Sequence, residues 1–135
     1  MKSHLGHVEL KIDVANTPFY KDLLAFLGWK TLYEGEGMLG IGGSDGASLW
    51  FTSGANGARN DYDGAGVNHL GISTESQSDV DAAAAYLKGK GVAALFETPR
   101  HRPEFASGPE QTYYQVMFES PDRILFEIVY TGPKQ

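Results

Sequence analysis

Polar and apolar positions alternate from Gly6 onward. Val8, Leu10 and Ile12 fall on one side of an extended segment, and His7, Glu9 and Lys11 on the other, which is the period of a strand. The period then lengthens. Asn16 or Thr17 can cap a helix, Pro18 suits its first position, and Phe19, Leu23, Leu24 and Leu27 form its apolar stripe. Gly28 stands where a left-handed stop residue belongs. Residues 28–34 read as a strand closing in aromatic-Glu. Residues 38–41 lead into a turn at Gly43-Ser44-Asp45-Gly46, and a strand over 47–52 returns.

The same order recurs in the second half. Residues 67–73 repeat the pattern of a His followed by apolar residues at the next and third positions, 62 places after His7. Ser78 or Asp79 can cap a second helix, which Val80, the alanines at 82–85 and Leu87 continue and Gly89 or Gly91 ends. Residues 91–97 match 28–34 at an offset of 63. Residues 113–118 lead into a turn at Ser120-Pro121-Asp122, and 123–130 return. Matches that fall in order at nearly constant offset predict an internal repeat. The expected fold is α+β, with two βαβββ modules in a single domain over 1–135. The first module covers about 4–54 and the second about 66–131. A Gly-, Asn- and Ala-rich linker joins them at about 55–65.

Composition narrows the function. A formal charge of −6 argues against nucleic acid, which needs a basic surface to displace phosphate counterions. The absence of cysteine excludes disulfides, thiolate metal sites and a Cys nucleophile. No stretch approaches the roughly 20 apolar residues of a membrane span. The first residues lack the apolar run of a signal peptide. The expectation is therefore a cytoplasmic protein with no membrane partner.

The repeat also places chemistry. His7 and His69 occupy the same seat on the first strand of each module. Aligning Asp45 with Asp122 sets Trp50 opposite Glu127, a carboxylate between Phe126 and Ile128. Two imidazoles and one carboxylate make a facial triad with open positions, suited to Mn, Fe(II), Co, Ni or Zn. Alone, each of these residues has a plain structural reading; their shared seats favour one divalent metal per site. Glu9 shares a face with His7 and is a candidate general base or substitute ligand, or it pairs with Lys11 or Lys30. Trp50 is a candidate pocket wall. On the strand before Glu127, either Tyr113, Gln115 and Met117 or Tyr114, Val116 and Phe118 face the site. Arg100-His101-Arg102 lies in a Pro-bounded loop over 99–109. It is either a solvated run or a flap that binds an anionic substrate through Arg100 and Arg102.

These motifs resemble the vicinal oxygen chelate superfamily, which includes glyoxalase I, fosfomycin-resistance thiol transferases, extradiol dioxygenases and bleomycin-binding proteins. Gly6-His7-Val8-Glu9-Leu10 is similar to its opening strand, residues 19–29 to its helix end, and Ser120-Pro121-Asp122 with Glu127 to its DPDGxxxE motif. The resemblance covers nearly the whole chain. It implies curled mixed sheets forming a cup, metal ligands at His7, His69 and Glu127, and a cup-facing set of Tyr113, Gln115 and Met117. Glyoxalase I adds an acidic ligand at the seat that Trp50 holds, so the ligand set is most like the fosfomycin-resistance branch. Arg123 stands where the motif has Gly.

The resemblance further implies a homodimer whose sites draw His7 from one subunit and His69 and Glu127 from the other; the alternative is that both modules of one chain close on each other, which the linker is long enough to permit. The expected function is a metal-dependent lyase, isomerase or thiol transferase. Its small substrate would chelate the metal through two neighbouring oxygens, with Glu127 and Glu9 as catalytic candidates. The alternative is a metal-free protein of the bleomycin-resistance type that sequesters a small molecule.

Overall fold

The computed structural model describes all residues, Met1–Gln135. The chain divides into two compact units, Met1–Arg59 and Asn60–Gln135. The first contains β1 (His7–Lys11), α1 (Thr17–Phe26), β2 (Lys30–Gly35), β3 (Met38–Gly42) and β4 (Ser48–Thr52). The second contains β5 (Leu70–Ser73), α2 (Gln77–Gly89), β6 (Leu95–His101), β7 (Gln111–Glu119) and β8 (Leu125–Pro133). Each unit is thus one βαβββ module with a four-stranded mixed sheet. The strand order is β1-β4-β3-β2 in one and β5-β8-β7-β6 in the other. The opening strand pairs in parallel with the closing strand, His7–Lys11 against Ser48–Thr52 and Leu70–Ser73 against residues 126–129.

In the first unit α1 buries Tyr20, Leu23 and Leu24. They pack with Leu39, Ile41, Leu49 and Phe51 of the sheet, with Tyr20 stacked on Phe51 at 4.3 Å between ring centroids. Each fully buried side chain of this size stabilises by roughly 1.5–3 kcal/mol. The core stripe therefore centres on Tyr20 rather than Phe19, which is half-buried. Gly28 has φ of +87° and ends the helix as expected. Asn16 precedes the helix but makes no side-chain cap bond.

In the second unit α2 buries Val80, Ala83 and Leu87 against a sheet face that includes Val116, Phe118, Phe126 and Ile128. Phe118 and Phe126 are direct cross-strand partners and their rings stack. The cap is Ser76, whose Oγ accepts from the Asp79 amide at 3.1 Å. This corrects the expected Ser78 or Asp79. Ser76 takes extended backbone, as a cap requires, and Asp79 sits inside the first turn.

A second correction concerns residues 91–101. The second strand of this module begins at Leu95, four residues late, and runs through Arg100 and His101. Those two residues are therefore strand, and the loop starts at Arg102. Phe96 and Glu97 adopt φ of 56° and 58°, which shifts the register against β7. A bulge of this kind leaves no trace in the apolar period.

Arg123 also has a left-handed φ, of 60°, at the turn position where the motif has Gly. The side chain ties this turn down. Its Cζ lies 5.4 Å over the Tyr62 ring, and its Nε stands 3.5 Å from Glu119, which also accepts from the Tyr62 hydroxyl. Asn60 Nδ2 donates to the Arg123 carbonyl at 2.9 Å. The stretch from Asn60 on, expected as linker, is thus built into the second unit.

Candidate functional site

The site is assembled on the face of the second sheet opposite α2. Val116 and Phe118 are spent on the core side, so alternation turns Tyr113, Gln115 and Met117 to the other side. These three, with Leu125 and Glu127 of β8, line a cavity of about 430 Å³.

Glu127 is 2% exposed and each of its oxygens has a neighbour. The Tyr113 hydroxyl donates to Oε1, and His69 Nε2 lies 3.0 Å from Oε2. Burial, and then the neighbouring carboxylate, push the Tyr113 phenol up to about 12, so Tyr113 keeps its proton and acts as a donor. His69 stands immediately before β5. Its Nδ1 lies 2.7 Å from Asn68 Oδ1. The orientation of that amide is set by its other end, since Asn68 Nδ2 donates to the Tyr62 carbonyl at 2.8 Å. Asn68 thus presents an acceptor to His69, and Nδ1 carries the proton that meets it.

The His69 Nε2 lone pair then faces a carboxylate oxygen. Two acceptors at this distance call for a cation between them, either a proton or a metal ion. Cis donors about 2.1 Å from a six-coordinate divalent ion stand about 3 Å apart. The donor pair therefore fits a metal, with Asn68 and Tyr113 bonded to the far sides of the two candidate ligands. Neither Asn68 nor its link to Tyr62 was expected from the sequence. The signal available was an amide beside a candidate ligand, which has meaning only once Tyr62 fixes its rotation.

The other expected residues are distributed as follows. His7 heads β1 in the first unit and is exposed. Within the chain no group of three or more His, Cys, Asp or Glu side chains comes together that could hold a metal ion. Glu9 accepts from Thr52 Oγ1 at 2.8 Å and pairs with Lys11 at 3.6 Å; these contacts, led by the Thr52 bond, hold its carboxyl below the usual range. Trp50 lies across β3 in the first unit. Its Nε1 donates to Ser48, and a Cβ at Gly40 would meet its ring at 2.5 Å. Arg102 lines the cavity of the second unit. Arg100 does not; it is exposed, 3.9 Å from Glu97.

A mixed-sheet βαβββ repeat, with an imidazole just ahead of one strand and a carboxylate on the parallel strand beside it, defines the class of fold. The family model for the Glyoxalase/Bleomycin resistance protein/Dioxygenase superfamily matches residues 14–128, and the chain belongs to that superfamily. Among solved structures, it is similar to a candidate glyoxalase from Bacillus halodurans, with a TM-score of 0.76 and 28% identity over 93% of this chain and 94% of that one. The fold is shared with a genomically encoded fosfomycin resistance protein, FosX, of Listeria monocytogenes, at a TM-score of 0.65 and 21% identity over 96% and 94%. Protein YqjT of Bacillus subtilis (strain 168) is 41% identical over 64 residues, 47% of this chain. That match spans 46% of YqjT, so about half the length of this curated relative is covered. No helix is long and apolar enough to cross a membrane.

Proposed function

We propose that the chain is the subunit of a metal-dependent enzyme of this superfamily, acting on a small substrate that chelates a divalent ion through two neighbouring oxygens. The observation that carries this reading is the pair His69 Nε2 and Glu127 Oε2 at 3.0 Å, with Asn68 and Tyr113 committed to the remaining atoms of both ligands. A buried carboxylate facing an imidazole lone pair is costly unless a cation is shared. His69 and Glu127 supply two protein ligands, and His7 of a second copy supplies the third. The proposed assembly is a homodimer with one site per chain. β1 and β5 support it, since each is an outer strand of its sheet and an outer edge invites a partner.

When bound, the metal supplies Lewis-acid stabilisation of negative charge on a substrate oxygen. The residues of the chain do the rest. Glu127 and His69 would hold the ion. Tyr113 keeps one carboxylate oxygen occupied, so that the other faces His69 and would be the one to meet the ion. The reaction belongs to the lyase, isomerase or thiol-transfer group, as the FosX and glyoxalase likenesses support.

Metal analysis of protein purified without chelator tests this. The expected result is about one divalent ion per chain, lost in His69→Ala with the fold retained. Wild-type protein that neither carries nor takes up a divalent ion would overturn the reading in favour of a metal-free binding protein.

A further inference from the structure

We propose that the cavity of the second unit selects an organic anion with a flat apolar body, held by Arg102 at its charged end. The inference rests on the reading above only in placing the reactive oxygens at His69 and Glu127. Arg102 is 20% exposed and is oriented by three contacts. Its Nε donates to Glu104 at 2.6 Å, its Nη1 to Gln115 at 3.0 Å, and its Cζ lies 5.0 Å over the Phe105 ring. Gln115 is itself 2% exposed, so the guanidinium is pinned from inside the sheet. A guanidinium has five N–H donors in a rigid fork. Two are used in these bonds, which leaves donors on a cavity-lining cation for a carboxylate-like group. Glu104 offsets part of the charge but is half exposed, where water screens it.

The apolar body is indicated by the same walls. Phe96 and Phe105 both line the cavity and both rank among the most exposed large hydrophobic side chains of the protein. Phe96 is presented there from a left-handed backbone, φ 56°, a conformation that a non-glycine residue adopts only at a cost. Met117, Leu125 and Tyr62 form the apolar floor, packed together as a small cluster of their own. The Tyr113 ring stands edge-on to Phe105 at 5.4 Å between centroids and bonds to Glu127 through its hydroxyl. It is therefore the common neighbour of the anion end and the ligand pair. Arg100 is excluded from this role by its place on the strand.

Three probes separate the components: phenylacetate with ring and charge, 2-phenylethanol with the ring alone, and acetate with the charge alone. Each is titrated by NMR into chelator-stripped protein. Saturable phenylacetate binding is expected, at least about tenfold tighter than either partial probe, with shifts at Phe96, Arg102 and Phe105. Arg102→Gln should weaken phenylacetate about tenfold, the scale of one charged hydrogen bond. Arg102→Lys should recover part of the loss, and Arg100→Gln should change it less than twofold. Phe105→Ala, on an exposed ring whose removal spares the fold, should also weaken it. No saturable phenylacetate binding, equal affinity for 2-phenylethanol, or an unchanged constant in Arg102→Gln would overturn the proposal. The metal reading stands or falls separately. A protein that takes up no metal yet binds phenylacetate through Arg102 loses the enzyme reading and keeps this one; one that takes up metal and ignores phenylacetate does the reverse.

Discussion

Asn68 Oδ1 lies 2.7 Å from His69 Nδ1, and the Asn68 amide nitrogen is spent on the Tyr62 carbonyl. Replacing Asn68 by Ala removes the acceptor behind the proposed ligand and frees the imidazole to rotate or change tautomer. Divalent metal affinity should fall about 10–100-fold, with the cooperative unfolding transition preserved. Titration calorimetry of chelator-stripped wild type and variant measures this. Equal affinities would remove Asn68 from the site.

Shared sites make a complementation prediction. His7→Ala and Glu127→Ala should each bind metal poorly as homodimers. Mixed under conditions where subunits exchange, they should regain one intact site per heterodimer, about half the wild-type capacity in that species. If exchange is demonstrated by mass and no binding returns, each site is built from one chain.

Alkaline stability carries a signature of two phenols. Burial first, and a carboxylate partner second, push Tyr113 and Tyr114 up to about 12; the partner is Glu127 for one and Asp81 for the other. An unfolded tyrosine titrates near 10 or so. The native state keeps both protons where the unfolded chain gives them up. The stabilisation is therefore complete below about pH 10 and is lost as pH rises toward 12. The urea midpoint should drop more between pH 9 and pH 11 in the wild type than in Tyr113→Phe/Tyr114→Phe. Identical drops would mean that neither phenol is linked to folding.

The cap on α2 predicts a difference between two serines. Ser76→Ala removes the oxygen that accepts from the Asp79 amide and should cost about 1 kcal/mol. Ser78→Ala removes only a hydroxyl contact with Ser76 and should cost well under half of that. Chemical denaturation of both variants decides it, and a larger loss at Ser78 would restore the cap expected from the sequence.

The βαβββ repeat was legible because it is local. Strand and helix periods, Gly28 as a stop and the turns at 43–46 and 120–122 depend on neighbours a few residues away. Counting the repeat placed His69 and Glu127 in seats that the sheet brings together, since a parallel pairing of first and last strands follows from the topology. Features set by distant side chains were not legible. The late start of β6 and its left-handed Phe96 and Glu97 depend on how that strand meets β7. Asn68 gained a role because Tyr62 fixes its amide, and Arg102 parted from Arg100 because Gln115 reaches it from the neighbouring strand. A sequence period reports which way a side chain points; which atom it meets is decided by rotamers and registers that only the packed tertiary structure selects.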